Sequence, residues 1–233
     1  MISFCTACCN RLEHLKKTYF HNMKIALKKN PALPAEFVLV NYGDTQGLDD
    51  WVEKKLLGRD SFTYYKTDVK WYHMSKAKNL ALRLSKGDFL FYLDADAYIH
   101  ESMMDAIKEA IELDVFLIHP HRVTTVLGFK RKDFFAVGGF DESFEGWGFE
   151  DIDMSVRLKN YGLTFYQPVF QAYKNIEHGD EERFSNYDPR YRVPQGRNER
   201  AIKDNERLGT IRANKFGFAH YKVIKNFETE VWV

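Results

Sequence analysis

Short apolar runs alternate with longer segments of helical spacing, and polar turn-forming groups separate them. Ile2 to Cys9 is a β-type run that ends at Asn10-Arg11, and Leu12 to Lys29 then carries apolar side chains at helical spacing through Leu15, Tyr19, Met23 and Leu27. Phe37-Val38-Leu39-Val40 predicts a second buried strand, closed by the turn-forming group Asn41-Tyr42-Gly43-Asp44. Ser75 is a candidate N-cap for a helix in which Ala77, Leu80, Ala81 and Leu84 recur before Gly87 stops it. Phe89 to Leu93 follows as a fully apolar strand.

Val115 to Ile118 reads as another strand, and Gly128 to Val137 as a strand or strand-plus-turn before Gly138-Gly139. Ile152, Met154, Val156 and Leu158 alternate with period two, which favours a strand. The acidic residues in front, Lys159 and the stop Asn160-Tyr161-Gly162 favour a helix, and the helix is preferred; it places Glu150 and Asp151 in its first turn. Phe165 to Ile176 is strand-like. From about Glu177 to Arg207 the chain turns polar and reads either as a lid or acceptor-side loop or as a solvated C-terminal extension. Alternating strands and helices without internal repeats predict one α/β domain over residues 1–233, a mostly parallel sheet covered by helices on both faces.

With 34 Lys and Arg against 33 Asp and Glu, no overall positive field exists to hold a nucleic-acid backbone. No segment approaches the roughly 18 unbroken apolar residues of a membrane span, and MISFCTACCN lacks a signal-peptide pattern, so a cytoplasmic location is expected. Cys5, Cys8 and Cys9 are the only cysteines, too clustered for a disulfide framework. They are expected as small buried side chains on a strand.

Asp94 and Asp96 sit where the apolar strand emerges, and ligands of open α/β sheets bind at the carboxyl ends of strands. Carboxylate oxygens there can hold a hard divalent cation, Mn2+ or Mg2+, against a diphosphate leaving group. Gly146-Trp147-Gly148-Phe149-Glu150-Asp151 offers the complementary chemistry. Asp151 is the candidate base for an attacking hydroxyl, Glu150 a hydrogen-bonding partner, and Trp147 a wall for a sugar ring. His178 could complete a metal shell with Asp96. On chemistry alone the blander alternatives stay open: a surface turn for the first triplet, an acidic helix start for the second cluster, an exposed loop histidine for His178.

At these residues the chain resembles the GT-A glycosyltransferases, most closely the β-1,4-galactosyltransferase and polypeptide N-acetylgalactosaminyltransferase-like group. Cys9-Asn10-Arg11-Leu12-Glu13-His14-Leu15-Lys16 is similar to the galactosyltransferases' Arg-Asn-Arg-x-Glu-His-Leu segment, which implies that Arg11 touches the nucleotide. Ser75-Lys76-Ala77-Lys78-Asn79 is similar to the Asn-Arg-Ala-Lys segment near the diphosphate, with Lys76 in place of the phosphate-binding Arg. Asp94-Ala95-Asp96 matches the Asp-x-Asp triplet, and the stretch from Gly138 to Asp151 matches the Asn-Gly-Phe and Trp-Gly-x-Glu-Asp signature of the acceptor site. His178 falls at the end of a Met-x-x-His metal motif whose Met is Asn175 here. Thr6-Ala7-Cys8 stands in place of the usual Pro-Phe, Phe149 in place of a common Gly, and no anchor or stem is evident.

The resemblance, covering roughly residues 2–180, implies a metal-dependent, inverting transferase that moves a hexose or N-acetylhexosamine from a UDP-sugar to a glycan or glycolipid hydroxyl, with bacterial surface polysaccharide as the expected setting. Arg11, Asn41, Asp44, Lys76 and Asp94 would hold the donor; Asn41 and Asp44 are named only for their place at a strand end. Asp94, Asp96 and His178 would hold the metal. Peripheral membrane association through the acceptor is compatible with this. The competing expectations are a nucleotide- or carbohydrate-binding protein that keeps the fold without turnover, and a nucleotidyltransferase, for which a glycine-rich basic loop is lacking. The leading expectation requires both acidic clusters to line one cleft.

Overall fold

The computed structural model describes residues 1–29, 33–118, 127–191 and 196–233. Its first half is a run of strand–helix units: β1 (Ile2–Cys8), α1 (Leu12–Lys29), β2 (Ala35–Tyr42), α2 (Leu48–Lys55), β3 (Phe62–Thr67), α3 (Met74–Leu84) and β4 (Phe89–Tyr92). These four strands lie parallel in the order β3-β2-β1-β4, with Cys8 opposite Asn41 and Cys5 opposite Tyr92. After β5 (Ala97–Ile99) and α4 (Glu101–Glu112), β6 (Phe116–Ile118) and β7 (Leu127–Lys130) extend the sheet, β7 running antiparallel to β4 and to β6. The chain continues through α5 (Arg131–Ala136), α6 (Glu150–Asn160), β8 (Phe165–Tyr166), β9 (Tyr173–Asn175), α7 (Asp180–Phe184) and α8 (Gly196–Leu208). A final hairpin, β10 (Lys222–Lys225) and β11 (Thr229–Trp232), joins the sheet beside β3.

Period-two alternation sends successive strand residues to two cores. Phe4, Phe37 and Leu39 pack with Leu15 and Tyr19 of α1 and with Met103 and Ile107 of α4. Cys5, Val38 and Val40 pack on the other face with Leu80 of α3, Phe134 of α5 and Met154 of α6. Both faces being covered, every residue of β1 and β2 is buried, the polar Ser3, Thr6, Glu36 and Asn41 included. The three cysteines are free and buried, as expected of small apolar side chains.

Several elements differ from the sequence reading. The N-cap of α3 is His73, whose side chain accepts from the Lys76 amide, and Ser75 lies inside the helix, which ends at Leu84 rather than Gly87. Within Gly128 to Val137 the strand stops at Lys130 and a helix follows. Arg131 fixes that turn by donating to the Gly87 carbonyl and Ser85 hydroxyl, while Phe134 stacks on Phe129 at 5.6 Å. Phe165 to Ile176 divides into two short strands. Among the described residues, no helix is long and apolar enough to cross a membrane.

Candidate active site

The strand-end carboxylates are set by the turn after β4. Leu93 donates to the Cys5 carbonyl, Ala97 donates to the Asp94 carbonyl, and β5 then pairs antiparallel with β9, Ala97 opposite Asn175. One more backbone bond, Ile176 to the Asp96 carbonyl at 2.8 Å, brings the segment after β9 alongside the triplet. His178 Nε2 consequently lies 2.9 Å from Asp96 Oδ2. Asp94 Oδ2 accepts from the Tyr173 hydroxyl at 3.4 Å. Burial pushes the Asp94 carboxyl up to about 7, Lys78 opposing the rise and Asp96 and Glu150 adding to it.

Among the described residues, no three His, Cys, Asp or Glu side chains converge as a ready-made cation cage. The donors still fit a divalent ion of the kind that keeps one or two protein ligands and takes its other oxygens from water and substrate phosphates. Asp96 and His178 are already within contact of each other, and Asp94 lies beside them on the same cavity.

That cavity, about 150 Å³, is lined by Arg11, Asp94, Asp96, Trp147, His178 and Tyr187 among others. The loop after β1 thus meets the triplet, the tryptophan loop and the segment after β9 in one place. Helix α7 closes its rim. Glu182 pairs with Arg11 and accepts from it at the backbone as well, and Phe184 packs edge-on against Trp147 at 6.1 Å.

Glu150 and Asp151 are not in the cavity wall. They are 4% and 9% exposed and sit behind it, where Lys78 Nζ donates to Glu150 Oε1 at 2.8 Å and to Asp151 Oδ1 at 2.5 Å. Lys78 itself is 2% exposed and also lies 5.2 Å from the ring centres of Tyr92 and Phe140. Burial alone would depress the ammonium; Asp151, Glu150 and Asp94 more than offset that, so its affinity for a proton is raised. Burial likewise raises the Asp151 carboxyl, with Lys78 opposing. One cation among three carboxylates leaves this cluster with excess negative charge, which favours either a retained proton or a further cation. The two acidic clusters are therefore joined through Lys78, whereas the sequence reading has them facing across an open cleft.

Three other expected residues lie apart from the cavity lining. Asn41 is committed to Asp49 and to the Asp44 amide, and Asp44 accepts from the amides of Asn10, Gln46 and Leu48. Both therefore shape the loops around the site. Lys76, on the opposite side of α3 from Lys78, faces a second cavity. The sequence does not single out Lys78, because Lys76, two positions away, is the match for the family's phosphate-binding Arg. The available signal was its place beside Ala77 and Ala81, which the sheet buries.

The glycines have separate jobs. Gly146 has φ +77°, and an added Cβ would stand 2.2 Å from the Tyr191 carbonyl oxygen, so this position admits close approach of the 189–191 segment. Phe149 also adopts φ +77° as it leads into α6, where the resembling family commonly has Gly.

Comparison with known proteins supports the fold. A family model described as the N-terminal domain of galactosyltransferase matches residues 114–179. A validoxylamine A glucosyltransferase of Streptomyces hygroscopicus subsp. jinggangensis is 58% identical over 31 residues, which are 13% of this chain and 7% of that protein. The structure of S. aureus TarS in complex with UDP superposes with a TM-score of 0.61 at 14% identity, covering 79% of this chain and 62% of that one. Drosophila β-1,4-galactosyltransferase 7, in complex with manganese, UDP-Gal and xylobiose, gives a TM-score of 0.59 at 16% identity over 93% of this chain and 82% of that one. The chain has the GT-A glycosyltransferase fold, a mostly parallel central sheet flanked by helices.

Proposed function

We propose that this chain is an inverting, divalent-cation-dependent glycosyltransferase that moves a hexose or N-acetylhexosamine from a UDP-sugar to a hydroxyl of a surface glycan or glycolipid. The observation that carries the proposal is the single cavity in which Arg11, Asp94, Asp96, Trp147 and His178 meet, backed by the Lys78–Glu150–Asp151 cluster. The complexes of the structural neighbours, with UDP in one and with manganese and UDP-Gal in another, support the donor class and the metal.

A cation held by Asp96 and His178, with Asp94 beside them, would neutralise charge developing on the departing diphosphate. Arg11 approaches the same cavity as a planar, permanently charged donor suited to phosphate oxygens. Trp147 presents an apolar surface for the sugar. Asp151 is the proposed base: it stands behind the cavity wall with its side chain 13% exposed, Lys78 fixes its Oδ1, and the acceptor hydroxyl would have to reach the other oxygen, whose affinity for a proton burial raises. Glu150 shares the same ammonium and keeps Asp151 oriented. With one base and one leaving group, a single displacement inverts the anomeric centre.

Asn175, which lines the cavity where the resembling family has a metal-binding Met, favours a second reading as a non-catalytic nucleotide or carbohydrate binder. Release of free UDP from a panel of UDP-sugars in manganese separates the two. Hydrolysis that Asp151→Asn abolishes while UDP affinity persists supports the transferase. Tight UDP binding with no release from any donor would replace it with the binder.

A further inference from the structure

A second cavity of about 370 Å³ lies beside the first, within the ~300–1,000 Å³ range of small-molecule sites. The loop before α3 and the segment after α7 build the partition between them. Tyr72 donates its amide to the Asn186 carbonyl at 2.9 Å and bridges to Tyr187, and the two rings pack edge-on at 5.5 Å. Tyr72 and Tyr187 line both cavities. The remaining wall is rich in rings, including Trp71, Tyr191 and Tyr221, and Gly146 of the tryptophan loop completes it. Flat aromatic faces with polar edges are surfaces on which a sugar packs well.

The charges of the wall decide what kind of sugar. Five charged side chains line it: Lys70, Lys76, Arg190, Glu145 and Asp188. Arg190 and Asp188 neutralise each other, with Nη2 2.7 Å from Oδ2. Glu145 lies 3.7 Å from His73, but burial and then Lys76 push that imidazole down to about 4, so it is neutral near pH 7. Lys70 lies 5.2 Å from the Trp71 ring, and no described carboxylate lies within ion-pair distance of Lys76. The wall therefore carries one positive charge in excess. Lys76 stands in the first turn of α3, where the helix dipole adds to it.

We infer that the second cavity is an acceptor subsite for a sugar or polyol bearing an anionic group, phosphate or carboxylate, with Lys76 as the residue that recognises the anion. The inference rests on the transferase reading, which supplies the donor in the neighbouring cavity. It also moves Lys76 from the donor diphosphate, where family resemblance would place it, to the acceptor.

The test is equilibrium binding of glucose 6-phosphate, glucuronate and glucose to the full chain and to Lys76→Met, with UDP titrated into both proteins. At least one anionic sugar is expected to bind ten or more times tighter than glucose, and Lys76→Met to reduce that preference to about twofold or less. Whichever of glucose 6-phosphate and glucuronate binds better identifies phosphate or carboxylate as the source of charge. Lys70→Met, an exposed substitution, provides a second variant and is expected to weaken the same preference. Equal affinity for charged and neutral sugars overturns the subsite. So does a loss of UDP affinity in Lys76→Met, which returns that lysine to the donor. Failure of UDP to bind the unaltered chain would instead sink the donor reading on which the subsite rests.

Discussion

Replacing Lys78 with Met removes the one ammonium among three carboxylates and keeps an unbranched side chain against Tyr92 and Phe140. At 2.8 and 2.5 Å, the ion contacts are worth about 6 and about 7 kcal/mol of attraction at an effective dielectric of about 20. Desolvation of the ions offsets most of this, and removing one partner of such a buried pair is expected to cost about 3–5 kcal/mol. In a chain of this length that is a fall of roughly 6–10 °C in thermal midpoint. The loss has a pH signature. Without the ammonium, burial holds a proton on Asp151 to still higher pH, so the deficit grows as pH rises, and it is compared at about pH 5 and about pH 8. Thermal unfolding followed by circular dichroism at both values measures it, and adding Asp151→Asn should recover much of the loss by removing the stranded charge. A deficit below about 1 kcal/mol at both pH values, or no recovery in the double variant, would refute the view of Lys78 as the charge that permits these carboxylates to be buried.

Gly146→Ala meets both a positive φ and the Tyr191 carbonyl, so urea unfolding should show it losing about 2–3 kcal/mol. Gly148→Ala, at φ +96° with nothing within 4 Å, should lose only the backbone part; equal losses would contradict the packing role of Gly146. Asp94 gives a second pH test. Its carboxyl stands at about 7 in the fold against 3.8 ordinarily, so across that window the folded chain holds a proton that the unfolded chain releases. The stability it contributes is complete below about pH 4 and is lost as pH rises through about 7. Metal-free thermal midpoints should fall across that range, and Asp94→Asn should flatten the fall; an unchanged slope in the variant contradicts this origin.

The parallel half of the fold is legible in the sequence because its signals are redundant. β4 is an unbroken apolar run and β2 holds one in Phe37-Val38-Leu39-Val40, β1 is a β-type run, α1 and α3 carry helical spacing, and α6 declares itself through acidic residues in front and Lys159 behind. Elements that depend on partners are not legible. Phe134 and Val137 fit a strand as well as a helix until Arg131 reaches back to Gly87 and Ser85. β5 exists because β9 pairs with it, and β10 because the edge of β3 is free to receive it. The same divide runs through the site. Arg11, Asp94, Asp96, Trp147 and His178 come together as their motifs suggest. Asn41 and Asp44 lie at a strand end, yet their polar groups are committed to neighbouring amides and to Asp49. Lys76 and Lys78 differ by two residues on one helix, which turns them to opposite sides; only the burial of Glu150 and Asp151 shows which of them meets carboxylates.

The most direct test of a donor site at the β4 carboxyl end is a manganese titration, followed by electron paramagnetic resonance of free Mn2+, with and without UDP. UDP is expected to tighten Mn2+ binding at least tenfold, because Asp96 and His178 supply too few ligands alone, and Asp96→Asn is expected to remove that enhancement. Mn2+ binding that is indifferent to UDP, or an enhancement that survives Asp96→Asn, would contradict a donor held at this strand end.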